Sequence, residues 1–165
     1  MEITKIENFL AYYENTRKIT KNVLSVIPPD MINWSYMPNK FTIGDLVRHI
    51  AAIERHVFAE VAIGNKPNYQ GCGIALADGL ENIISYFNEM HKQTVAIFMS
   101  LSDESLNREI TSLDGKQIRL GNFLRALIVH EIHHRGALCI YLNLIGVTTP
   151  PIIGLMEEQV IQLSK

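Results

Sequence analysis

Residues 124–146 read LRALIVHEIHHRGALCIYLNLIG, and this run decides both the fold class and where chemistry should be sought. Its helix-forming composition, closed by Gly146 where a C-terminal glycine belongs, predicts a helix from about Asn122 to Leu144. Projected at about 100° per residue, its main stripe is Leu124, Leu127, Glu131, His134, Leu138, Tyr141 and Ile145, with His130 beside His134. The opposite side is apolar too, through Val129, Ile132, Cys139 and Ile140. A helix apolar on most sides is either central to its domain or covered by a partner. The rear face therefore leads to an expected homodimer, with helix one or the C-terminal segment as the alternative cover.

A separation of four places His130 and His134 on one helical face, one turn apart, so that a ring nitrogen from each can reach a common ion. His49 lies in TIGDLVRHIAAIERHVF, residues 42–58, a second helical run that would supply a third ligand from a facing helix. Three neutral imidazoles with remaining positions open is the composition of a catalytic rather than a structural metal site. The alternative for such a pair is two core histidines with satisfied ring nitrogens. His133 points about 100° away from His134 on a helix, which suits an outer role. His56 lies two turns, roughly 10 Å, beyond His49, too far to share an ion with it. His91, in NEMHKQT, falls on a polar part of its helix and reads as solvated. Glu131 can orient a neighbouring ligand through a hydrogen bond or pair with Arg48 or Arg135; Arg135 can position the helix or contact an anion.

Working outward, Ile3, Ile6, Phe9, Leu10, Tyr13, Ile19, Val23 and Leu24 keep a helical rhythm over residues 3–27 that Pro28 and Pro29 end. Residues 30–40 read as an extended crossing whose Trp34 packs on the bundle. Thr42 and Asp45 form an N-terminal capping pattern for a helix that Gly64 closes. Residues 64–78, with Gly64, Pro67, Gly71 and Gly73, form a loop longer than most helix connections. A third helix runs from about Leu80 to Leu101. REITSLDGKQIRL, residues 108–120, allows a small hairpin about Asp114-Gly115. GLMEEQVIQLSK at the end allows a short fifth helix. The sum is an all-α, up-and-down four-helix bundle with a short extra C-terminal helix, one domain over residues 1–165.

The chain of 165 residues is 47% hydrophobic and 19% charged with a formal charge of −2, so neither a disordered tail, a membrane run nor a basic nucleic-acid footprint is present. The amphipathic, acid-bearing start resembles neither a signal nor a transit peptide, and a cytoplasmic location is expected. Of two cysteines, Cys139 lies in an apolar run and should pack as a small hydrophobe; Cys72, between Gly71 and Gly73, could be exposed.

With these residues in place, the chain resembles the DinB/YfiT-like superfamily of metal-binding four-helix proteins. The resemblance spans nearly the whole chain. It rests on the tryptophan crossing INWSYMPNKFTIGDLVRHI, the histidine of helix two, and HEIHHRG in the last long helix. It implies a metal held by His49, His130 and His134. One departure is Ala137, where the family commonly carries glutamine after Arg-Gly, so substrate contacts beside the metal face should differ. The resemblance further implies a divalent ion, Zn, Ni, Fe or Mn, and a thiol S-transferase joining a low-molecular-weight thiol such as bacillithiol to an electrophilic small molecule. A non-catalytic, stress-induced metal-binding bundle and a metal-assisted hydrolase are the alternatives.

Overall fold

The computed structural model describes residues 3–165. Ile6–Leu24 forms α1, which turns Phe9, Tyr13, Thr16, Arg17, Thr20, Val23 and Leu24 inward at helical spacing. Its last turn loosens as the chain nears Pro28, the N–H groups of Val26 and Ile27 bonding Val23 and Leu24 in tighter turns. α2 (Ile43–Ile53) begins at Thr42, whose hydroxyl accepts the Asp45 N–H at 3.0 Å while the Asp45 carboxylate accepts the Thr42 N–H at 2.9 Å. That is the expected capping box. The run continues through a π-helical turn, Glu54–Ala59, into α3 (Glu60–Ala62), and Gly64 closes it at φ +88°. α4 (Leu80–Met99) and α5 (Leu120–Leu144) complete the long helices, and Gly146 takes φ +80° just past α5. The hairpin is present as β1 (Glu109–Thr111) paired antiparallel with β2 (Gln117–Arg119). The tail carries the short α6 (Glu157–Leu163), whose residues are all exposed.

The architecture is the expected all-α bundle, in which α1 and α2 each pack on both α4 and α5. Contacts along each pair set the helix directions. Phe9 meets Phe98 and Tyr13 meets His91, so α1 and α4 are antiparallel; His49 meets His134 and Phe58 meets Phe123, so α2 and α5 are antiparallel as well. Gly44 lies against Ile83 and Arg55 against Gln93, which makes α2 and α4 parallel neighbours, a departure from the strictly up-and-down order expected from the sequence. A parallel pair needs a connection that returns along the bundle. This is the physical reason for the long segment between Gly64 and Leu80, and it carries that segment back past His49.

The core has two apolar halves with a polar layer between them. One half gathers Phe9, Tyr13, Phe58, Phe98, Phe123 and Leu127; the other gathers Val23, Ile43, Ile50, Phe87, Leu138 and Leu142. Between them each long helix contributes polar groups: Arg17 and Thr20 from α1, Glu54 from the π turn, Thr94 from α4 and Glu131 from α5, all buried. The Arg17 guanidinium pairs with the Glu54 carboxylate and lies 3.3 Å from Glu131 Oε2. Thr20 donates to Glu131 Oε1 at 2.6 Å, and Tyr13 donates to Glu54. The guanidinium also stacks on Phe87, 4.1 Å from the ring centroid.

Several sequence expectations change here. Glu131 pairs with Arg17 rather than Arg48 or Arg135, because α1, and not α2 or α5, supplies the facing cation. His91 is buried rather than solvated, its Nε2 3.0 Å from Glu14 Oε1, because α1 covers that side of α4. Cys72, on the returning loop, is buried rather than exposed, and Cys139 is half-buried against the second core half. Trp34 packs as expected, edge-on to Tyr141 at 5.8 Å.

Candidate metal site

His49 projects from α2 and His130 and His134 from successive turns of the antiparallel α5. The Nε2 atoms of His49 and His130 are 3.1 Å apart. The His134 ring centre lies 4.6 Å from that of His49 and 4.4 Å from that of His130. One ligand atom from each of the three lies within 4.8 Å of the others. Nitrogens bound to a common zinc at about 2.0–2.1 Å stand roughly 3 Å apart, so the observed separation fits a shared ion.

The electrostatics favour the same use. Burial, reinforced by the neighbouring imidazoles, pushes His130 down to about 3 and His134 down to about 4, and burial lowers His49. All three rings are therefore neutral near pH 7, the form in which imidazole ligates. The Nδ1 of His130, the nitrogen not turned toward His49, is buried with no hydrogen-bond partner. The three residues are half-buried, so the cluster remains reachable from solvent. Phe41 flanks His49 at 5.2 Å between ring centres, and Phe58 lies 6.3 Å from His130.

The remaining histidines stay outside this cluster. His133 is exposed, as its position on the helix predicts, and His56 sits half-buried on the π turn, where its carbonyl accepts the Asn68 N–H. Arg135 is buried and donates to the Thr16 carbonyl at 3.2 Å, tying α5 to α1 beside His134. Both Glu131 oxygens face α1, one toward Thr20 and one toward Arg17. Ala137 is half-buried against the second core half.

Of two further residues at the site, Tyr69 was not singled out from the sequence and Arg48 was read only as a partner for Glu131. Tyr69, on the returning loop, places its hydroxyl 2.8 Å from His49 Nδ1. Arg48, adjacent to His49, donates to the carbonyls of Cys72 at 2.8 Å and Ala77 at 2.9 Å and pairs with Asp45 at 2.6 Å, pinning the loop to α2. The length of the loop was the available signal, but nothing in it marks Tyr69. Arg17 and Glu54 were legible in principle: each is a charged residue at a stripe position, four after Tyr13 and four after Ile50.

A three-histidine cluster on two antiparallel helices of a bundle now stands beside a sequence match: the model of the DinB superfamily covers residues 12–138, and the chain belongs to that superfamily. Among its relatives, the uncharacterized protein YjoA of Bacillus subtilis (strain 168) is 31% identical over 147 residues, which is 86% of this chain and 92% of YjoA. The uncharacterized protein YrdA of the same organism is 21% identical over 159 residues, 93% of this chain and 91% of YrdA. The crystal structure of a DinB-like protein from Bacillus cereus ATCC 10987 superposes with a TM-score of 0.74 at 19% identity, over 90% of this chain and 98% of that one. That of the DinB-like protein YjoA gives 0.64 at 26% identity, over 89% and 95%.

Proposed function

We propose that the chain is a metal-dependent enzyme that joins a low-molecular-weight thiol, of the bacillithiol kind, to an electrophilic carbon, with His49, His130 and His134 as its metal ligands. The observation that carries this reading is the convergence of three neutral, half-buried imidazoles from two helices, with ligand atoms inside 4.8 Å and no fourth histidine, cysteine or carboxylate in the group among the described residues. A site with three protein ligands keeps room for a substrate atom. A divalent ion held there supplies Lewis acidity that favours thiolate at neutral pH.

The chain's own residues do the rest. α2 and α5 hold the imidazoles in place, burial keeps them unprotonated, and Phe41 with Tyr69 walls one side of the cluster. In the transfer, the thiol sulfur forms a C–S bond, the leaving group departs with its bonding pair, and the thiol proton passes to solvent. We place the protein in the cytoplasm, where free thiols such as Cys72 and Cys139 persist; no helix among the described residues is long and apolar enough to cross a membrane. We further propose a homodimer, because Val129, Ile132, Ile140 and Leu144 leave an exposed apolar strip along α5. All four long helices share both core halves, which supports one folding unit.

The test loads metal-stripped protein with Zn, Ni, Fe or Mn and assays bacillithiol, mycothiol, glutathione and coenzyme A against a bimane or chlorodinitrobenzene. A rate that requires metal and disappears in His134→Ala is expected. No metal-dependent rate with any thiol would leave a non-catalytic metal-binding bundle.

A further inference from the structure

A histidine that ligates a metal through one nitrogen is held by what its other nitrogen does, since that hydrogen bond fixes both the tautomer and the ring orientation. At His49 the outer nitrogen is accounted for. Nε2 faces His130 inside the cluster, and Nδ1 faces the Tyr69 hydroxyl at 2.8 Å. A phenol carries one proton and accepts through its oxygen. A neutral imidazole likewise carries a single N–H, so whichever nitrogen ligates leaves the other as the donor. With Nε2 as the ligating atom, Nδ1 carries the proton and donates it to the Tyr69 oxygen, which leaves the Nε2 lone pair for an ion shared with His130 and His134.

We propose that Tyr69 is a positioning residue for the metal site: it accepts the Nδ1 proton of His49 and so holds the Nε2 lone pair toward the shared ion. The proposal rests on the three-histidine reading and adds to it a residue that touches no metal. The loop is built to keep Tyr69 there. Arg48, the residue before His49, clamps the carbonyls of Cys72 and Ala77, and the Asn68 N–H bonds the His56 carbonyl at 2.8 Å. Ligand and loop are thus fastened to the same stretch of helix, and Tyr69 lies between the two fastenings. His130 lacks such support, its Nδ1 being buried and unpartnered.

Two measurements test this. In the metal-free protein, long-range proton–nitrogen correlation of 15N-labelled imidazoles reports the tautomer of His49, and the Nδ1–H form is expected; a dominant Nε2–H form would overturn the proposal. In zinc competition against a chromophoric chelator, Tyr69→Phe should weaken binding by about 10- to 100-fold, the usual effect of removing such a partner, with one zinc per chain retained. Cys72→Ser, which leaves the Tyr69 hydroxyl and the Arg48 bond to the residue 72 carbonyl in place, should stay near wild type. Because Tyr69→Phe removes one hydroxyl from a loop, its urea midpoint in chelator should match the wild type, separating a local from a global effect. Equal zinc affinity of Tyr69→Phe and wild type would overturn the proposal and leave the triad reading standing, whereas a wild type that takes up no zinc would remove both.

Discussion

Replacing Arg17 by methionine should destabilise the metal-free protein by about 3–5 kcal/mol, the range for removing one partner of a buried ion pair. The magnitude follows from what the change strands. Glu54 and Glu131 are both 0% exposed, Arg17 is 1% exposed, and its guanidinium is the cation that both carboxylates face. Methionine keeps most of the volume over Phe87, so the loss comes from uncompensated charge rather than from a cavity. Urea unfolding in the presence of chelator at pH 7.5 measures it, and for a chain of this size the thermal midpoint should fall by roughly 6–20 °C. Arg17→Met with Glu54→Gln should recover part of the loss, since one stranded carboxylate is then neutral. A loss below about 1 kcal/mol in the single variant would refute the reasoning, because it would mean that the polar layer is hydrated or its carboxyls already uncharged.

Three further outcomes follow from the site and the surface. With His130 near 3 and His134 near 4 through burial, protons compete weakly for the ligands, so zinc affinity should change less than about threefold between pH 7.5 and 6.0, where three ordinary imidazoles would lose roughly 50-fold. These lowered folded-state values carry the opposite sign for the metal-free fold: below about pH 6.5 the unfolded imidazoles gain protons that the folded ones refuse, and unfolding midpoints should drop as pH falls toward 4. Ile140→Glu, at a position 61% exposed, should leave the fold intact and convert a dimer to a monomer in sedimentation at micromolar concentration; a wild type that sediments as a monomer there would refute the dimer.

The helices and the His130–His134 pair were legible in the sequence because both depend on short-range periodicity, whereas His49 entered as a ligand expected from a facing helix and from the family resemblance. The stripe of residues 124–146, the Thr42–Asp45 cap and the glycine stops at 64 and 146 all express local geometry, and the four-residue spacing of His130 and His134 needs nothing beyond one helix. What escaped depends on which helix faces which. The partner of Glu131 could not be chosen among the arginines without knowing that α1 lies against α5, and His91 read as solvated because the helix that buries it is 77 residues away at Glu14. The Tyr69 contact escaped for the same reason. It depends on α2 and α4 running parallel, which sends the connecting loop back across His49, and no local pattern in the loop encodes that path.

The most direct test of the account is zinc stoichiometry after loading and desalting, measured by mass spectrometry of the metal in the wild type and in single alanine variants of His49, His130, His133 and His134. The account predicts one zinc per chain in the wild type and in His133→Ala and none in the other three; equal loss in His133→Ala and His134→Ala, or a folded wild type that retains no zinc, would contradict it.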